Sequence, residues 1–238
     1  MSSKRKRSLP RRIVRSCLLA LVAWVAIGVV AVALLRFVPP VASSVMLQDW
    51  IGAQVAGDDA FELRYRWTPW EKVAPTLPIS LVAAEDQKFP HHRGFDIDAI
   101  RDALADAEDG ARLRGASTIS QQVAKNLFLW NGRSFVRKGL EAWFTLLIET
   151  LWPKQRILEV YLNIAEFGHG TYGVGAASER YFRTTPARLS AYQSALLAAV
   201  LPNPVRFRVD RPSPYLQRRA AWIQRQANQL GGAAYLRR

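Results

Sequence analysis

The chain has 238 residues, a formal net charge of +14 at pH 7 and 50% apolar residues, eight of its side chains being tryptophan. That is room for one ordinary domain plus an appendage, and too apolar for a disordered chain. The basic excess calls for an anionic partner, which nucleic acid, anionic lipid or a phosphorylated substrate would satisfy, while the single cysteine, Cys17, excludes an intramolecular disulfide and a cysteine-based zinc cluster.

Lys4, Arg5, Lys6, Arg7, Arg11, Arg12 and Arg15 crowd the start, and no acidic residue precedes Asp49. Ser16 to Leu35 then carries no charge and is closed by Arg15 and Arg36. At about 1.5 Å per residue this run matches a hydrocarbon core of about 30 Å. It is longer than a signal-peptide core and leads into Arg-Phe-Val-Pro-Pro, a poor cleavage site, so an uncleaved anchor is expected. The expected organisation is a basic cytoplasmic N-terminus at 1–15 and a transmembrane anchor at 16–36. A connector at 37–66, a main domain at 67–204 and a basic helical tail at 205–238 follow. The positive-inside rule places the main domain on the outer side of a bacterial inner membrane, in the periplasm, with a single pass. That topology disfavours nucleic acid as the partner.

Within the connector, a juxtamembrane helix is expected over 38–55 and a short strand at Phe61 to Trp67, where the residues alternate. From Pro78 onward the pattern is helical. Ile79 to Asp86 forms a helix ending at the acidic pair Glu85-Asp86. Asp96 caps a helix from Ile97 to Glu108, and Thr118 with Gln121 has the spacing of a capping box. Ser134 opens a helix reaching Leu151, stopped by Trp152-Pro153. Further helices are expected over 154–166, 174–182, 189–201 and 214–230. Gly168 to Gly175 is expected to be a glycine-rich turn, and Pro202-Asn203-Pro204 to end the packed body. The fold class is mainly α.

Three blocks carry chemistry. Glu85 to Asp96 puts a carboxylate at a helix end before aromatics, histidines and a glycine turn. Gly115 to Gln122, followed by Lys125 and Asn126, brings a small-residue loop into a helix N-terminus, where free N–H groups and the helix dipole favour anions. Arg133 to Glu141 surrounds one carboxylate with Arg133, Arg137 and Lys138; helical spacing sets Arg137 and Lys138 beside Glu141. Each block taken alone has a bland alternative: an exposed acidic helix end, a capped helix, a solvated salt-bridged face.

Their order and wording resemble the monofunctional biosynthetic peptidoglycan transglycosylases of glycosyltransferase family 51, whose domain also forms the N-terminal half of bifunctional penicillin-binding proteins. E-D-x-x-F-x-x-H-x-G is met at Glu85, Asp86, Phe89, His92 and Gly94, and G-x-S-T-I-x-Q-Q from Gly115 to Gln122. R-K-x-x-E is met at Arg137, Lys138 and Glu141, and K-x-x-I-L-E-x-Y-L-N from Lys154 to Asn163. Gly168 to Val174, with Ala176-Ala177 and Tyr181-Phe182, continues the match. Ser120, where the family usually has Thr, and Ala116, often Gly, are mild departures.

The resemblance implies a lysozyme-like helical domain with a small membrane-proximal subdomain. It implies an enzyme that polymerises lipid II into linear glycan for cell wall biogenesis, with inversion at the anomeric carbon and release of undecaprenyl diphosphate. Glu85 is then the general base and Glu141 the second catalytic carboxylate. Lys125, Arg133, Arg137 and Lys138 are candidates to hold the donor diphosphate. Ser117, Thr118, Gln121, Gln122 and Asn126 are candidates to shape the sugar cleft. For Tyr161, Asn163, Tyr172 and Gly173, structural support is favoured over substrate contact. No cofactor is implied with certainty; a divalent cation, Mg or Mn, at the diphosphate with Glu141 as ligand stays open. Expected partners are lipid II, the growing glycan and membrane lipid, with other cell-wall synthesis and division proteins open and no nucleic acid. The length leaves no room for a transpeptidase domain, so no peptide cross-linking is expected. The rival readings are a glycan-cutting enzyme, which would not need the diphosphate-binding cations, and a non-catalytic membrane-tethered scaffold.

Overall fold

The apolar N-terminal run lies in α1 (Ser8–Leu35), which is uncharged from Ser16 to Leu35 and long enough to cross a membrane. In this computed structural model, residues 8–108, 117–132 and 134–237 are described. Only the C-terminal half of α1 touches the body. Trp24 packs on Trp143 and Phe144, each with ring centroids 6.4 Å away. The Trp152 indole N–H donates to the carbonyl of Val32 (2.7 Å), and Arg156 donates to the carbonyls of Leu35 (2.8 Å) and Val38 (3.0 Å). The last carbonyls of a helix have no partner within it and carry its negative dipole end, so a guanidinium there satisfies both deficits.

After the Pro39-Pro40 break, α2 (Ser44–Ala56) starts at a Ser43 cap and ends on Gly57, whose positive φ closes the helix. It is shorter at its start than the expected 38–55 helix because the proline pair holds the chain extended. β1 (Arg64–Tyr65) is the strand anticipated at Phe61 to Trp67, reduced to two residues. It pairs in parallel with β3 (Thr171–Tyr172), which pairs antiparallel with β2 (Glu166–Gly168). The stretch expected to be a simple turn, Gly168 to Gly175, therefore holds a strand, because β1 offers it a partner from far upstream. Gly173 is required where that strand enters the next helix: its φ is +77°, and a Cβ would lie 2.5 Å from the carbonyl oxygen of Asn163.

The core is built on α3 (Thr76–Glu85). Leu77 through Ala83 are all buried, as expected for a helix apolar on every side. It packs against α9 (Ala191–Val200), α10 (Pro214–Gln229) and α7 (Lys154–Ile164). α4 (Ile97–Glu108) follows the Asp96 cap, whose Oδ1 accepts from the Ala99 N–H (3.1 Å). α5 (Ile119–Phe128) and α6 (Phe135–Leu151) pack side by side, and Phe128 stacks on Phe144. Of the apolar run Leu127 to Trp130, Leu127 and Leu129 join the core while Trp130 is exposed. α8 (Gly173–Phe182) covers the small sheet.

One expectation is corrected here. The chain after Pro204 is no mere tail: α10 turns Leu216, Ala220, Ile223 and Ala227 into the core, where they meet α3 and α9. The apolar residues recur at helical spacing among arginines and glutamines, so the basic composition conceals an amphipathic helix.

Asn163 is fully buried. Its carboxamide accepts from the Thr68 N–H (2.7 Å) and donates to the carbonyls of Thr68 and Glu159 (2.8 Å each), fastening the chain after β1 to α7. Replacing it by Leu keeps the side-chain branching, adds bulk and orphans those groups. Asn163→Leu is expected to destabilise the fold by about 2–4 kcal/mol, read as a lowered thermal midpoint in detergent.

Candidate active site

Glu85 ends α3 and Asp86 follows it outside the helix, so the two neighbouring carboxylates diverge. Asp86 is buried. Its oxygens face the His92 Nε2 (2.9 Å) and accept from the Ile119 N–H at the start of α5 (3.0 Å). The Thr118 hydroxyl donates to the carbonyl of Gly94 (2.7 Å), and Lys154 donates to that of His92 (2.6 Å). Gly94, with φ +88°, lets this loop close on α6, because a Cβ would lie 2.6 Å from the Thr145 methyl. The block from Glu85 to Asp96 thus divides its work: Asp86, His92 and Gly94 lock the loop onto α5, and Glu85 is left free to meet Gln122.

Glu85 accepts from the Gln122 Nε2 (3.1 Å) and lies 3.9 Å from the Arg219 guanidinium of α10. Burial pushes its pKa above the usual carboxylate range, and the Gln122 bond and the Arg219 charge oppose that rise. The Gln122 Oε1 accepts from the Tyr161 hydroxyl (3.0 Å).

One turn along α5, Gln122 gives way to Lys125 and Asn126 on the same helix face. All three, with Tyr161, Tyr172, Asp49, Asn131 and Glu166, line a cleft of about 280 Å³. Burial lowers the Lys125 pKa, while Glu141 and Asp49 hold its proton on and Arg137 and Lys138 push it off. Lys125 therefore belongs to the third block electrostatically. There Glu141 is buried at 3% exposure, accepting from Arg137 (2.8 Å) and from Lys138. The Arg137 Nε is buried without a partner among the described residues.

The remaining candidates fall elsewhere. Thr118 and Gln121 form a reciprocal cap: the Thr118 side chain accepts from the Gln121 N–H, and the Gln121 Oε1 accepts from the Thr118 N–H (3.0 Å). Both are buried there and do not line the cleft. Ser117 is exposed just ahead of them. Arg133, Gly115 and Ala116 lie outside the described residues.

Three features were not anticipated, two carboxylates that line the cleft and an arginine near Glu85. Asp49, on α2, accepts from the Tyr172 hydroxyl and from Asn131 (3.4 Å). Glu166, on β2, is pushed up to about 7 by burial and by the neighbouring Asp49 charge. Arg219 comes from the segment taken for a tail. A carboxylate set in the apolar run Ile164-Ala165-Glu166-Phe167 was the available signal for Glu166; Asp49 and Arg219 had none beyond their charge.

A divalent cation at the diphosphate would have to share Glu141 with the cations that already hold it. Among the described residues no three His, Cys, Asp or Glu side chains gather as one would need, and both Glu141 oxygens are engaged by cations.

A family model described as Transglycosylase matches residues 54–228, past both bounds of the 67–204 domain. Proteins named biosynthetic peptidoglycan transglycosylase align over nearly the whole chain. That of Xanthomonas axonopodis pv. citri is 56% identical over 95% of this chain and 92% of its own. That of Xylella fastidiosa is 55% identical over 93% and 91%, and that of Pseudomonas fluorescens 52% over 98% and 95%.

Removing the Arg219 charge withdraws one of the two influences that keep Glu85 ionised. Arg219→Met is expected to raise the Glu85 pKa further, as read by carbon-13 NMR titration of the labelled carboxyl.

Proposed function

This chain belongs to the peptidoglycan transglycosylase family, and we propose that it polymerises lipid II at a membrane surface with Glu85 as general base. The observation that carries the reading is the face of α5. It joins Gln122, bonded to Glu85, to Lys125, which senses the Glu141, Arg137 and Lys138 cluster. Gln122 and Lys125 line one cleft, the first bonded to a proton acceptor and the second coupled to a concentration of positive charge, while Glu85, Arg137 and Lys138 stand behind that lining.

The chemistry needs both. The hydroxyl oxygen of the acceptor sugar forms a bond to the anomeric carbon of the donor, and the bond from that carbon to the diphosphate oxygen breaks. Undecaprenyl diphosphate leaves and the centre inverts. The hydroxyl is a poor nucleophile, so its proton passes to Glu85 as the new bond forms. A base whose pKa is raised by burial binds that proton more strongly, provided it is still ionised at the working pH. Negative charge grows on the leaving diphosphate, and Lys125, Arg137 and Lys138 meet it with charge-assisted bonds. Glu141 holds Arg137 and Lys138 in position before substrate arrives. Both have a second allegiance, to Glu141, so a diphosphate would share rather than create their order. No step is routed through a metal.

The anchor fits a substrate that cannot leave the bilayer. α1 and α6 run in the same direction, since Trp24 meets Trp143 and Val32 meets Trp152. At the start of α6, ahead of the Trp24 contact, Phe135 is 98% exposed and Val136 70%. We assign that face to the lipid, with the N-terminus cytoplasmic and the body outside the inner membrane.

Glu85→Gln keeps the hydrogen-bonding shape and removes the base. It is expected to reduce polymerisation of labelled lipid II at least about a hundredfold, with binding retained. Near-normal turnover would remove the base role, and cleavage of finished glycan by the unaltered protein would favour the lytic reading. A reporter that works only in the periplasm, fused at the C-terminus, is expected to be active.

A further inference from the structure

The reading of Glu85 as base leaves unexplained why a fully buried tyrosine hydroxyl is aimed at the one side chain that hydrogen-bonds it. Tyr161 is 1% exposed, on α7, and its hydroxyl donates to the Gln122 Oε1 at 3.0 Å. The other end of the same amide donates to the Glu85 Oε2 at 3.1 Å. Resting on that reading, we propose that Tyr161 is a positioning residue for the proposed reaction, acting through the Gln122 amide to keep its N–H₂ end turned toward Glu85.

The argument is one of donors and acceptors. An amide has an accepting end and a donating end, and an ionised carboxylate can only accept. If the Gln122 amide turned over, its oxygen would face a carboxylate oxygen in a poorly solvated site, and its N–H₂ would face the phenol. A tyrosine that donates selects the other orientation. Tyr161 is suited to be that donor: burial, then the charges of Glu85 and Asp86, push its pKa well above the ordinary value, so its proton stays on. The donated bond from Gln122 in turn favours the ionised form of Glu85 against its burial. The other charges acting on Glu85 are Arg219 on α10 and Asp86 beside it, and they work in opposite directions. Neither fixes which way the carboxylate points: Arg219 stands at 3.9 Å, beyond hydrogen-bond reach, and Asp86 is held by His92 and Ile119. Among the described residues the Gln122 N–H₂ is thus the group that directs the Glu85 carboxylate, and the bond donated by Tyr161 reinforces the amide's orientation from its other end.

The test is the pH profile of lipid II polymerisation for Tyr161→Phe, Gln122→Ala and the double variant, with Glu85→Gln alongside. Tyr161→Phe is expected to lower kcat about tenfold with KM within about twofold. Its acid limb should move to higher pH, because Glu85 loses help in staying ionised. In the Gln122→Ala background the same substitution should add almost nothing, since its effect has no route to the base. Incorporating 3,5-difluorotyrosine at 161 keeps the shape and strengthens the donor, and should move the limb to lower pH even if Tyr161→Phe folds poorly. An unmoved limb in both Tyr161 variants, or multiplying effects in the double variant, overturns the proposal. If Glu85→Gln is inactive in that case, only the relay falls; if Glu85→Gln polymerises normally, the base reading falls and takes the relay with it.

Discussion

Everything at the cleft depends on one buried carboxylate that does no chemistry in the proposed reaction. Asp86 accepts the first N–H of α5 with one oxygen and holds His92 with the other side of its carboxyl group. A helix N-terminus carries unpaired donors and partial positive charge, so a carboxylate there is doubly favoured. This junction sets the start of α5 against the end of α3. From it follow the meeting of Gln122 with Glu85 and the projection of Lys125 and Asn126 into the same cleft. Peptide geometry forces neighbours at a helix end apart, so Asp86 can serve the scaffold while Glu85 meets Gln122.

The two carboxylates assigned to chemistry sit in opposite surroundings. Glu85 has one amide donor and a distant guanidinium against its burial, and its proton affinity rises. Glu141, more deeply buried, is matched by Arg137 and Lys138 at contact. A weakly compensated carboxylate can accept a proton during a reaction; a heavily compensated one organises cations. The division of labour between base and diphosphate site is thus written in the number and nearness of the positive groups around each acid.

Local patterns in the sequence were legible wherever a structural signal is local. The Thr118–Gln121 spacing gave a reciprocal cap, Ser134 a helix start, and Arg137, Lys138 and Glu141 a joined cluster on one helix turn. What escaped was tertiary. The strand in the glycine-rich stretch exists because Arg64 and Tyr65 pair with Thr171 and Tyr172 from more than a hundred residues away. Asp49 joins the cleft where Tyr172 and Asn131 bond it, and Arg219 approaches Glu85 because α10 folds back on α3. Gln121 and Thr118, read as cleft residues, are held by each other, an outcome that the same motif spacing had allowed. No pattern within a short window distinguishes a side chain that caps from one that also contacts substrate.

The Arg156 and Trp152 bonds to the end of α1 have a mechanical corollary. A body hung from a flexible stalk would sample many tilts, and its groove would meet a bilayer-bound molecule in the wrong attitude most of the time. Here the end of α1 is clamped to the body by Trp152 and Arg156. On the proposed reading, in which α1 is the anchor, that clamp would restrain tilt and height, and less orientational freedom would remain to be surrendered at each encounter with a bilayer-bound substrate.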